Sequence, residues 1–202
     1  MESSLQARER ILIAAQKLFA TKGYEQVTVR EIAKEANCSH TSIYLYYQDK
    51  RELLAQLAEE PLTKLIQQFE FILSGEDDLA RQKLVEIAIV YVKFGMLHRN
   101  LYQTFMTIEA GRVDEPGSDW KLSMLRQRIF ALLQTSVSSL FIQPEEAQIL
   151  AFSRILFYQL HGTITTYANS VEDIELIEER VLPLVEMSVT YLMNGVSIYE
   201  DK

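Results

Sequence analysis

The chain has 202 residues, 48% of them hydrophobic, enough to bury a sizeable core in one or two domains. Only 7 Gly and 4 Pro stand against plentiful Leu, Ile, Ala, Glu and Gln, which favours an all-α protein because sheets need more turn punctuation. One cysteine, Cys38, excludes an internal disulfide and fits a reducing cytoplasm, where it plugs a turn as a small apolar residue. No run of about 18 apolar residues is available to span a bilayer, and MESSLQARER lacks an apolar signal core.

The formal charge of -8 argues at first against nucleic acid. Residues 1–54, however, hold 8 Lys/Arg and 7 Asp/Glu, which leaves 12 and 21 on the rest. An acidic body repels DNA non-specifically, while a near-neutral head can still engage phosphates through a few placed contacts. The same asymmetry would suit an ordinary helical protein, so charge alone decides little.

In chain order, a first helix is predicted from Ser4 to Lys22, with Ile11, Leu12, Ala15, Leu18 and Phe19 on one stripe and Gly23 ending it. Thr28 and Glu31 have capping-box spacing, and Val29, Ile32, Ala33 and Ala36 give the second helix a buried side. Asn37 stops it, being among the few residues that tolerate a left-handed backbone. Ser39 caps a short third helix expected to reach Tyr47, and Asp49 with Glu52 repeats the capping box. The fourth helix then runs to Leu73, with a kink expected at Pro61. Beyond the polar break Ser74–Asp78, helices are expected over Leu79–His98, Asn100–Ala110, Trp120–Phe141, Pro144–Asn169 and Val171–Asn194, with a loop over Gly111–Asp119 and Gly195 closing the last. The chain divides into a head, 1–53, and a helical body, 54–202, joined within the fourth helix.

A helix, a three-residue turn and a short polar-aromatic helix form a helix-turn-helix, which places its second helix in the DNA major groove. The ordered residues Ala15, Leu18, Phe19, Gly23, Tyr24, Thr28, Ile32, Ala33, Tyr44, Tyr46, Tyr47, Lys50 and Leu53 resemble the tetracycline-repressor (TetR) family of bacterial transcription regulators. The resemblance covers roughly the first quarter of the chain. Two departures stand out. Asn37 and Cys38 replace a usual Gly-Val at the turn, and Leu45 stands where a second aromatic is common.

Carried over residue by residue, the resemblance implies base reading by Arg30, His40, Thr41 and Tyr44, and phosphate contacts by Thr28, Ser42, Tyr46 and Lys50. Arg can pair with a guanine edge and Thr can touch a thymine methyl. The plainer reading of the tyrosines is core packing, and Tyr47 is assigned to it. Arg30 has an alternative as half of a surface pair.

For the body, the resemblance implies a ligand-sensing and dimerising bundle that responds to a small lipophilic or aromatic effector. Large side chains are more numerous than a tight small core needs. The candidate pocket comprises Tyr91, Phe94, His98, Phe105, Glu109, Trp120, Met124, Arg128, Phe152, Tyr158 and His161, although most of these also suit an ordinary core. No metal-ligand spacing and no cofactor motif is present. In the family the last two long helices pair with their twofold mates; here they carry Ile155, Tyr158, Gln159 and Gly162, then Leu184, Met187, Val189, Tyr191 and Leu192.

The expected protein is therefore a homodimeric, cytoplasmic repressor released from a palindromic operator in double-stranded DNA by an effector. Competing readings are a DNA-binding regulator without an effector, an activator, an all-α enzyme or a helical scaffold. No phosphate loop, nucleophile elbow or carboxylate pair supports the enzyme.

Overall fold

The computed structural model describes residues 2–75, 79–108, 120–143 and 145–200, and every regular element among them is helical. The elements are α1 (Glu2–Lys22), α2 (Val29–Glu35), α3 (His40–Tyr44), α4 (Lys50–Leu73), α5 (Ala80–Leu97), α6 (Arg99–Ile108), α7 (Lys121–Ser138), α8 (Glu146–Thr166) and α9 (Ile174–Glu200).

The head is assembled from caps and a small core. Gly23 takes φ 80 after α1, and the turn folds Tyr24 back onto Phe19 with ring centroids 5.1 Å apart. At α2 the predicted box is complete. Thr28 Oγ1 accepts from the Glu31 amide at 3.2 Å, and Glu31 Oε2 accepts from the Thr28 amide at 2.9 Å. Asn37 is the one non-glycine residue with positive φ among those described, at 51°. Ser39 caps α3 by accepting from the Ser42 amide at 3.0 Å. Ile11, Ala15, Ile32, Ile43 and Tyr47 close the core beneath these caps.

Several helix ends and caps differ from expectation. Helix α3 ends at Tyr44 rather than Tyr47, because residues 45–47 turn to bury the Tyr47 ring, whose hydroxyl donates to the Arg8 carbonyl at 3.4 Å. The second half of the box at α4 is displaced: Asp49 accepts from the Glu52 amide, but Glu52 accepts from Gln48 rather than from Asp49. Gly195 does not close α9, which continues to Glu200; a lone helical glycine costs only about 1 kcal/mol, too little to stop a long helix. The expected start at Pro144 lies outside the described residues, and α8 is capped by Glu145.

Helix α4 passes through Pro61 and through the expected head–body boundary without interruption. Its first turns bury Leu53 and Leu54 against the head, and its later turns bury Leu62, Leu65, Ile66 and Phe69 in the body. In the body, α5 lies centrally among α4, α7, α8 and α9. Gly95 is what allows α8 so close: a Cβ there would stand 2.5 Å from Ile164 Cδ1. Arg99 ties α6 to the end of α8 through the Ser170 carbonyl. None of the described helices is long and apolar enough to cross a membrane.

The left-handed turn predicts the response to substitution at Asn37. Asn37→Ala should destabilise the full-length protein by about 1 kcal/mol in urea unfolding, because alanine keeps the Cβ that crowds the following carbonyl but loses the polar side chain that makes Asn tolerant of this conformation, while Asn37→Gly, with no Cβ, should be neutral or stabilising. Equal stability of the two variants would contradict a strained turn.

Candidate nucleic-acid interface and central cavity

Helix α3 has one buried residue, Ile43; His40, Thr41 and Tyr44 are exposed. His40 and Tyr44 sit one turn apart, their rings edge to face at 5.0 Å, so each holds the other's orientation. Thr41 Oγ1 lies 2.9 Å from the capping Ser39 hydroxyl, and Ser42 Oγ lies 2.6 Å from it. These three hydroxyls form one polar edge beside the two rings. Arg30 is exposed on α2, and its neighbour Glu31 is bound to Lys22 at 2.7 Å. The Lys22 and Thr28 hydrogen bonds hold the Glu31 carboxyl down at about 2.

The predicted phosphate set is divided. Ser42 and Tyr46 are half-buried at the edge of the exposed face. The Thr28 hydroxyl donates to Glu31 at 2.9 Å and serves the cap. Lys50 is turned inward, contrary to expectation: its ammonium donates to the carbonyls of Tyr24 at 2.8 Å and Val27 at 3.1 Å and stands 4.0 Å over the Tyr24 ring. Two of its three donors therefore fasten the turn before α2, and burial pushes its pKa down. Leu45 is 79% exposed beside Tyr44, an apolar side chain available to a thymine methyl or a sugar.

The body's expected pocket residues scatter. Tyr91 and Phe94 line a central cavity with Leu62, Leu65, Tyr102, Met106, Arg126, Ile129, Phe130 and Phe157. Its volume is about 10 Å³, room for a single water. His161 stands at its edge, joined to Tyr102 at 3.0 Å and stacked against Phe157. The others lie elsewhere. Trp120 is at the head–body junction, with the Arg51 guanidinium 4.4 Å over its ring. Met124 and Tyr158 face outward, 60% and 55% exposed. Arg128 pairs with Glu70 at 2.7 Å on the surface. Phe152 is buried against Phe141, and His98 packs on Phe94 in a groove between α1, α4 and α6. The Phe105 side chain and Glu109 lie outside the described residues. Among the described residues, no group of His, Cys, Asp and Glu is placed to hold a metal.

Eight of the ten residues lining the cavity stood outside the candidate set, Tyr102 and Arg126 among them. Tyr102 was one aromatic among many. Arg126 carried a legible signal: it falls on the stripe Leu122, Ser123, Ile129, Phe130 and Leu133, the buried face of α7, whereas Arg128 does not.

Burial holds both His98 and His161 below the ordinary 6.5, aided by the charges of Lys64 and Arg126 respectively. Both imidazoles are thus neutral at neutral pH in the fold, while the unfolded chain takes up protons as pH drops through 6.5. Folding stability is present in full above that value and declines as pH falls through the lower folded values. The melting temperature should drop as pH falls below 6.5, and His98→Gln with His161→Gln should flatten that limb. The carboxylate-dependent loss involving Glu31 belongs to a separate, more acidic window, since its pKa is lowered from 4.5.

Comparison with known proteins matches this geometry. Residues 11–57 match the family of bacterial regulatory proteins termed tetR. The fatty acid metabolism regulator protein of Bacillus subtilis is 26% identical, over 71% of this chain and 88% of that protein. An HTH-type transcriptional regulator of Haemophilus influenzae is 44% identical over 25% of this chain, spanning 27% of its own length. Among solved structures, the regulator FadR of Bacillus subtilis in complex with stearoyl-CoA superposes with a TM-score of 0.60 at 22% identity, covering 88% of this chain and 96% of that one. PfmR of Thermus thermophilus, a TetR-family regulator, gives 0.63 at 20%, covering 92% and 95%. At these identities the structural likeness concerns the fold.

Proposed function

Since the chain belongs to the TetR family of helix-turn-helix transcriptional regulators, we propose that it is a homodimeric, cytoplasmic repressor that leaves a palindromic operator when a lipophilic acyl compound binds its body. The observation that carries the DNA-facing part is the exposure of His40, Thr41 and Tyr44 on a helix whose remaining contacts are buried or capped. Hydroxyls and an imidazole on one edge suit base readout in the major groove, with Arg30 reaching from α2. Ser42 and Tyr46 border them as phosphate contacts; Lys50 acts chiefly by fixing the turn.

One α3 covers a half-site, so two heads must stand about 34–36 Å apart. The surface that supports pairing is on α8 and α9: Ile155 and Tyr158 are exposed on one, Leu184, Met187 and Tyr191 on the other. Space around Gly162 and Gly195 is open, leaving room for a partner helix. Gln159 donates to Ser188 at 2.6 Å and fixes the two helices beside each other.

Ligand response would act through α4. Leu62 and Leu65 form one wall of the central cavity, while Ile129 and Phe130 of α7 form another. An effector must part these walls, and the displacement of α4 is delivered to the head because the same helix buries Leu53 and Leu54 there. Only an effector that binds the parted arrangement better can shift the equilibrium. The acyl chemistry is suggested by the Bacillus subtilis fatty acid metabolism regulator and by FadR with stearoyl-CoA. A second reading, regulation without a small effector, is favoured by one observation: the cavity is nearly full as it stands.

Tyr44→Ala should weaken binding to the upstream operator by about 1–3 kcal/mol per half-site in an electrophoretic shift, with an unchanged melting temperature. Unaltered affinity in a folded variant would remove Tyr44 from the interface. Leu184→Glu combined with Met187→Glu should yield a monomer in sedimentation and abolish the shift. A variant that remains dimeric would move the interface off α9. Release of the wild-type complex by an acyl compound would separate the effector reading from the second one.

A further inference from the structure

We infer that Lys34, a residue outside the set carried over from the family, is the head's charged phosphate contact, and that Arg30 and Lys34 are the two cations per head that operator binding recruits. This rests on the DNA-binding reading above and adds to it which charges meet the duplex and how salt acts on the complex.

Most of the head's positive charge is already engaged within the chain. Of the eight Lys and Arg in residues 1–54, Lys17 pairs with Glu35 at 2.5 Å and Lys22 with Glu31 at 2.7 Å. Lys50 donates to the Tyr24 and Val27 carbonyls, Arg8 donates to Gln56, and Arg51 covers Trp120 at the joint with the body. Arg10, Arg30 and Lys34 remain, all exposed. Arg10 stands on α1, which packs on α2 and α4. Arg30 and Lys34 stand on α2, which packs directly on α3, the helix that carries His40, Thr41 and Tyr44.

Helix α2 sorts its charges into two stripes. Arg30 and Lys34 lie one turn apart, about 40° from each other around the axis, and Glu31 and Glu35 follow about 100° further round. The acidic stripe is turned to α1, where Lys22 and Lys17 neutralise both carboxylates. Glu31 is also the carboxylate in register with Lys34, three residues before it, but the Thr28 cap and Lys22 hold it. Among the described residues, neither Arg30 nor Lys34 forms an ion pair. Like charges one turn apart repel, and an anion beside both relieves that repulsion. In a helix-turn-helix the first helix crosses the phosphate backbone while the second enters the groove, and α2 is that first helix. The two side chains then differ in what they suit: the planar Arg fork a guanine edge, the Lys point charge a phosphate. The hydroxyls of Ser42 and Tyr46 are neutral, so their phosphate contacts release no counterions.

The test measures affinity against salt concentration, using the full chain and a palindromic fragment that it selects from random DNA. Wild type is compared with Lys34→Gln, Lys34→Arg and Lys50→Gln. Two recruited cations per head give the dimer a log–log slope of about -3.6, so wild-type affinity should fall roughly 150-fold between about 50 and 200 mM salt. Lys34→Gln should fall only roughly 12-fold over the same interval, with an unchanged melting temperature. Lys34→Arg should keep the wild-type slope, and so should Lys50→Gln, whatever the latter does to affinity at one salt concentration. A wild-type slope in Lys34→Gln, or a slope that drops in Lys50→Gln instead, would overturn the inference while the DNA-binding reading stood. A wild-type loss above roughly 1,000-fold would also overturn it, because further cations would then be engaged. If wild type selects no fragment at all, the DNA-binding reading falls and the inference with it.

Discussion

Continuity of α4 is the constraint on which the rest depends. A single rod of residues 50–73 buries Leu53, Leu54 and Ala58 in its first turns and Leu62, Leu65, Ile66 and Phe69 in its later ones, all within one continuous core. Close-packed side chains do not slide freely, so a change at one end of the rod appears at the other. Pro61 lies between the two sets and gives up one backbone hydrogen bond there. Further contacts reinforce the joint. Arg8 donates to Gln56 at 3.1 Å, Asn100 to the Ala20 carbonyl at 3.1 Å, Lys121 pairs with Glu59, and Arg51 covers Trp120. The head is thus fastened to the body by α4 and by a ring of polar ties around it.

Within the head, the polar residues divide their work by what they can reach. Thr28, Glu31, Lys22 and Lys50 are joined to each other or to backbone carbonyls and hold the turns that aim α3. His40, Thr41, Tyr44 and Leu45 are exposed. A residue type alone does not show this division, since lysine and threonine serve equally well at a phosphate and at a carbonyl. The same sorting operates in the body. Arg126 and Arg128 are two positions apart, which on a helix turns them about 200° from each other. One therefore faces the cavity and the other meets Glu70 in solvent.

The small volume of the central cavity has a direct consequence for how regulation can work. Aromatic rings at Tyr91, Tyr102 and Phe157 lean on one another at centroid distances of 6.0–6.2 Å and fill the space. A ligand cannot enter such a core without displacing side chains, and displaced side chains in a close-packed bundle move helices. Sensing and signalling would then be one event.

The head was legible in the sequence because its signals are local. Capping at Thr28, Ser39 and Asp49, the left-handed turn at Asn37 and the apolar spacing of Ile32 and Ala33 each concern residues within one helical turn, where spacing fixes geometry. The all-α class and the buried Tyr47 followed from the same short-range logic. The cavity was not legible, because Tyr91, Tyr102, Arg126 and Phe157 meet across four helices, and their rotation about each helix axis is set by packing between elements far apart in the chain. Hence Trp120, Met124, Arg128 and Tyr158 fitted the composition of a pocket yet stand outside it. Local capping and spacing determined what each segment is; only the tertiary structure decided which side chains face one another, since burial is a property of the assembled surface and not of any one stretch.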